Sequence, residues 1–151
     1  MFDRRIQMGC ALALLFCLLA VPVCADSSED ELIIRAVASS YPDADFGAKT
    51  ALCAVILNRM EDSGYPDTAA GVIRAADSGF DPLALASVRD EKILRITRDA
   101  CRAARAGADP TGGLLGFEVL PKPTRKDNRA DFSASLDLSK YRVVMGGIGF
   151  Y

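Results

Sequence analysis

The sequence contains no histidine. A serine or cysteine nucleophile worked by an imidazole base is therefore excluded, and so is any metal held by histidine. Cysteine is scarce where it would count. Of five, Cys10, Cys17 and Cys24 fall in the first 25 residues, leaving Cys53 and Cys101. Two cysteines are too few for a disulfide framework or for a metal site of the usual ligand count. The expectation is two small buried thiols on separate helices, their Cα atoms more than about 7 Å apart or their side chains diverging, with pairing outside the cell as the alternative. Positive charge is not in excess either. The formal charge is −2, and taking Asp3, Arg4 and Arg5 away with the first 25 residues makes it −3, a balance that speaks against a nucleic-acid partner. There is no internal repeat, and no linker divides the chain after residue 25.

What is present is the composition of a folded domain, 50% hydrophobic and 25% charged over 151 residues. Arg4 and Arg5 precede an apolar run from Met8 to Val23, and Val23-Cys24-Ala25 offers small residues before Asp26. Residues 1–25 read as a cleaved secretory signal and residues 26–151 as the domain, which places the protein outside the cytoplasm with no stable membrane span after cleavage. An uncleaved anchor is the alternative, disfavoured by the length of the run and by Pro22.

The domain is expected to gather around residues 48–60. The middle of that run, Leu52-Cys53-Ala54-Val55-Ile56-Leu57, is apolar on every side of a helical wheel and too short to span a membrane, so it reads as a buried central helix. Before it, Ser28-Glu29-Asp30-Glu31 has the form of a capping box opening a helix that ends near Ser39-Ser40, with Ile33, Ala36, Val37 and Ser40 on the inward stripe. Asp43 or Asp45 can cap the central helix. After it come a short helix over 69–76 behind Thr68 or Asp67 and a fourth over about 90–106. That last helix faces inward with Ile93, Thr97, Ala100, Cys101 and Ala104, and it carries Arg95, Arg98, Arg102 and Arg105 on its remaining surface. The arginines read as a solvated stripe, or as a surface for the carboxylates of a cell-wall polymer. Residues 114–120 read as a strand, 121–137 as a long polar loop and 141–151 as a second strand, giving an α+β outline of four helices and a two-stranded sheet.

Ala54-Val55-Ile56-Leu57-Asn58-Arg59, Tyr65-Pro66-Asp67-Thr68 with Gly71-Val72-Ile73, Gly79-Phe80, Asp109-Pro110-Thr111-Gly112-Gly113 and the terminal Gly146-Gly147 with Phe150-Tyr151 together resemble the cell wall hydrolase family of the spore cortex-lytic enzyme SleB. The pieces follow the family's order at about its spacing and cover nearly the whole domain. The resemblance implies a mainly helical, lysozyme-like α+β domain with a central buried helix and a small antiparallel sheet. It implies peptidoglycan glycan strands as the partner and lytic transglycosylation as the reaction, with neither metal nor cofactor, and a spore-forming source would fit it.

That reaction needs one carboxylic acid, protonated near neutral pH, which donates to the glycosidic oxygen and then serves as base toward the hydroxyl that closes an anhydro ring. The resemblance puts the family's glutamate at the end of the first helix, and a gapless count back from Ile56-Leu57-Asn58-Arg59 arrives at Ser40. A serine hydroxyl is far too weak an acid for this work. The family commonly has a histidine after its paired glycines; this chain has Ile148. Two readings follow: an enzyme whose acid has moved to Asp43, Asp45 or Glu118, or a non-catalytic binder of peptidoglycan or of a partner protein on the same fold. In either, the resemblance points to Phe80, Thr111, Gly112, Gly113, Phe117 and Tyr151 as the glycan-facing wall, with Phe80 and Phe117 equally readable as core.

Overall fold

A helix with almost no wet side runs through the middle of the domain. In the computed structural model, which describes residues 27–83, 88–122 and 137–151, α2 spans Phe46–Glu61, and every residue from Ala48 to Ile56 is buried. The leader expected over 1–25, and with it Cys10, Cys17 and Cys24, lies outside the described residues, as does most of the polar loop expected over 121–137. Asp45 begins α2 by accepting a hydrogen bond from the Ala48 amide at 2.8 Å, so of the two aspartates weighed as its cap it is the nearer one that serves.

Three helices surround α2. α1 (Ser27–Ser40) starts one residue before its expected cap and buries Ile33, Ile34, Ala36, Val37 and Ala38. α3 (Ala69–Arg74) is capped by Thr68 through the Gly71 amide and stops two residues short of the expected end. α4 (Glu91–Arg105) is capped by Asp90 and turns Leu94, Thr97, Ala100, Cys101 and Ala104 inward. Leu94 stands on the buried face where Ile93 was expected; Ile93 is half-buried at its edge. α2 packs most extensively on α4, where small side chains on both helices permit a close approach.

The sheet has three strands, not two. β1 (Phe117–Val119), β2 (Val143–Met145) and β3 (Ile148–Phe150) are all antiparallel in the order β1-β3-β2. The terminal run alternates poorly because it is a hairpin, turned by Gly146 and Gly147, whose φ angles of 56° and 80° suit glycine. Phe117, Ile148 and Phe150 face the helices and are buried.

Two buried cations tie these layers together. Lys49, 1% exposed, donates from Nζ to the carbonyl of Tyr41 at 2.6 Å, just past the C-terminal end of α1, where a cation meets the helix dipole favourably. Arg59, 5% exposed, leaves α2 toward two loops and donates to Leu115 O at 2.7 Å and Ser78 O at 2.8 Å. Its guanidinium lies 5.3 Å from the Tyr65 ring centre and 5.6 Å from that of Phe117. Arg59→Ala would strip the donor from one buried and one half-buried carbonyl at about 1–3 kcal/mol each. Urea denaturation should show a loss of roughly 2–5 kcal/mol, only partly recovered by Arg59→Lys, whose single ammonium lacks the planar fork.

Candidate functional site

Ser40 is the last residue of α1 and half-buried. Its hydroxyl oxygen accepts a hydrogen bond from the Asp81 amide at 3.0 Å, fastening the helix end to the loop after α3. The next residue, Tyr41, turns its ring into an aromatic cluster, with edge-on contacts of 6.0 Å to Phe80 and 5.7 Å to Phe117 and a hydroxyl that donates to the Gly79 carbonyl. Phe80 and Phe117 are 5.3 Å apart, and Phe117 lies 6.2 Å from Phe150. Both phenylalanines are under a tenth exposed. They belong to the core.

The carboxylates near this end of α1 are differently engaged. Asp45 is held by the first turn of α2. Asp43 is exposed to water. Glu118, on the outer face of β1, accepts from Lys140 Nζ at 2.8 Å and from the Tyr141 hydroxyl, and these two bonds hold its carboxyl below the usual range. It is tuned to stay ionised, the reverse of what a proton donor requires. Ile148, where the family commonly has a histidine, is buried in β3 among apolar side chains.

Thr111, Gly112 and Gly113 form a loop built on Asp109. Its carboxylate accepts from the Thr111 amide at 2.8 Å, the Thr111 hydroxyl at 2.6 Å, the Gly113 amide at 2.6 Å and Asn58 Nδ2 at 3.1 Å. Thr111 is buried in this arrangement while the two glycines are exposed. Partial burial opposes the charge on Asp109, but bonds from Thr111, Asn58 and the backbone outweigh it and bring the pKa below the ordinary value.

Tyr151 is the exposed aromatic of the expected wall, at 51%. It lies over Gly116, so close that a Cβ there would come within 2.4 Å of its ring, and Tyr141 covers Gly149 in the same way. The two tyrosine rings are 6.3 Å apart beside Glu118 and Lys140. The composition of this patch escaped the reading of the sequence, since Tyr141, Lys140 and Glu118 meet only through the sheet register.

A cavity of about 310 Å³ opens elsewhere, between α1 and α4, lined by Asp30, Glu31, Ile34, Arg98, Cys101, Arg102 and Arg105. None of the residues singled out for catalysis or for the glycan-facing wall lines it. Part of the arginine stripe is paired there: Arg105 meets Asp30 at 2.8 Å and Glu29 at 3.4 Å.

A profile of the cell wall hydrolase family matches residues 44–133. The chain belongs to that family. The match begins four residues after Ser40, so the run that departs from the family pattern falls just outside it. Among curated relatives, the chain is 32% identical over 101 residues to a spore cortex-lytic enzyme of Halalkalibacterium halodurans, covering 64% of this chain and 29% of that one. It is 30% identical to one from Bacillus cereus, covering 64% and 37%. The chain thus spans about a third of the length of the relatives it matches. The fold is shared with the catalytic domain of the Bacillus cereus SleB protein, at a TM-score of 0.57 and 24% identity over 89% of this chain and 98% of that one. The catalytic domain of the germination-specific lytic transglycosylase SleB from Bacillus anthracis gives a TM-score of 0.55 at 23% identity. The mainly helical, lysozyme-like fold with a small antiparallel sheet is therefore as the sequence led us to expect.

The lowered pKa of Asp109 has a consequence for stability. A carboxylate whose folded pKa lies below its unfolded value of about 3.9 stabilises the fold above that value and loses the contribution as pH falls through the folded one. Asp109→Asn should flatten the acid limb of a plot of urea midpoint against pH below about pH 4, with little change in its slope near neutrality.

Proposed function

We propose that this chain is a peptidoglycan-binding member of the cell wall hydrolase family that works outside the cytoplasm and has lost most or all glycosidase activity. The observation that carries the reading is Ser40: at the helix end where the family resemblance puts the acid, the side chain is a hydroxyl already engaged by the Asp81 amide. General acid–base help of the kind forgone is worth roughly a hundred- to ten-thousand-fold in rate. The engagements of Asp45 and Glu118 and the exposure of Asp43 support loss of the acid over its relocation.

The surface offered to glycan is the outer face of the sheet, where Tyr141 and Tyr151 present rings above glycine backbone and the Glu118 carboxylate supplies an acceptor. An apolar face with a few fixed polar groups suits a sugar ring, whose carbon face is apolar and whose rim is hydroxylated. The relatives' names refer to lysis of spore cortex, and the same class of polymer is the ligand proposed here.

Tyr151→Ala should weaken sedimentation with purified peptidoglycan several-fold and leave the melting temperature nearly unchanged. Phe80→Ala should instead cost about 3–5 kcal/mol of stability, as expected for a core ring. Unaltered sedimentation in Tyr151→Ala and Tyr141→Ala would remove the glycan-facing role from this surface. For the catalytic half of the reading, Ser40→Glu should release anhydro-muropeptides above the level given by the unmodified chain, provided the pocket keeps the new carboxyl protonated.

A further inference from the structure

The charges around the cavity between α1 and α4 are unequally matched. Its two carboxylates each have a close cation: Asp30 holds Arg105 at 2.8 Å, and Glu31 holds Arg35, one turn along α1, at 2.8 Å. Arg98 and Arg102, from adjacent turns of α4, are left over. Among the described residues the one ion pair of Arg98 is with Glu31 at 4.0 Å, beyond hydrogen-bonding reach, and that of Arg102 is with Asp99 at 3.3 Å, with most of the arginine side chain in water. We propose that this cavity binds the free carboxylate of a short peptide, and that in the cell envelope the peptide is the stem borne by peptidoglycan strands. The carboxylate site stands on the cavity itself; only the source of the peptide rests on the reading of that polymer as ligand.

Two guanidiniums four residues apart on one helix face are neighbours that repel each other, and an anion between them relieves the repulsion. The planar fork of arginine matches a carboxylate, offering two parallel N–H donors to its two oxygens. Ile34 and Cys101 give the cavity an apolar lining. That lining suits the small alkyl side chain beside a peptide's terminal carboxylate better than it suits an inorganic anion. At about 310 Å³ the space is at the lower end for a small-ligand site and takes the end of a peptide rather than its length. The stem peptides of peptidoglycan are short, end in free carboxylates and carry alanine methyl groups, so they meet each of these requirements. Two weak sites for the two parts of one polymer, sugar and peptide, raise the overall affinity above that of either alone.

The full chain should be titrated calorimetrically with a soluble stem pentapeptide ending in D-alanyl-D-alanine, and with the same peptide amidated at its C-terminus. We expect a saturable isotherm by about 5 mM peptide. The amide, Arg98→Gln and Arg102→Gln should each weaken it about tenfold, because each removes charge-assisted hydrogen bonds to the carboxylate. Arg95→Gln, on α4 but outside the cavity lining, should leave it unchanged. All three arginines are exposed, so the melting temperatures should stay nearly the same. Absence of binding by about 5 mM, or equal weakening by Arg95→Gln, would overturn the carboxylate site. Sedimentation with intact peptidoglycan and with glycan strands freed of peptide by an amidase separates this site from the tyrosine face: Arg98→Gln should lose affinity for the intact polymer only, and Tyr151→Ala for both. Sedimentation of Arg98→Gln with intact peptidoglycan equal to that of the unmodified chain would overturn the assignment of the peptide to that polymer. Peptide-free strands that fail to sediment the unmodified chain would overturn the glycan reading and leave the cavity site standing.

Discussion

One buried guanidinium joins the parts of this domain that no strand or helix pairing connects. Arg59 leaves the central helix and donates to the carbonyls of Ser78 and Leu115, in loops that follow α3 and precede β1. These loops carry the two faces of interest. The segment from Ser78 leads through Gly79 and Phe80 to the Asp81 amide that engages Ser40, and Leu115 leads through Gly116 under Tyr151 into β1. Removing a buried charge's partners is costly because nothing replaces them inside the protein. Both faces are therefore held by a residue that touches neither. Lys49 does similar work at the other end of α2, holding the chain where α1 ends.

A scaffold of this kind can outlast its chemistry. What the aromatic cluster, the Asp109 loop and the hairpin supply is position, through packing and hydrogen bonds among themselves. None of it depends on a proton donor being present at residue 40. The serine there adds a hydrogen bond between α1 and the Asp81 loop, and the isoleucine at 148 adds apolar burial. Both departures from the family pattern thus have structural uses in this chain.

The central helix was legible because a run that is apolar all round has nowhere to go but the interior, and the caps Asp45 and Thr68 were among the candidates because their chemistry is local. What stayed hidden depended on distant partners. Arg59, at the polar end of a helix, gives no sign of burial, since its acceptors lie far along the chain. Three-residue strands carry too little periodicity to be counted, which is why a hairpin passed for a single strand. Phe80 and Phe117 could not be divided between core and surface because an aromatic ring suits either. Cys53 and Cys101 lie on faces that the helical pattern correctly turns inward, and both are free and buried.

The central claim is that the fold of a glycan-cleaving family persists here without its acid. Its most direct test is the unmodified protein incubated with purified peptidoglycan, with the soluble products analysed by mass spectrometry. The account predicts no anhydro-muropeptides above a buffer control while the protein sediments with the polymer. Steady release of anhydro-muropeptides that disappears in Asp43→Asn or in Asp45→Asn would contradict it and identify the carboxylate that had taken over the work.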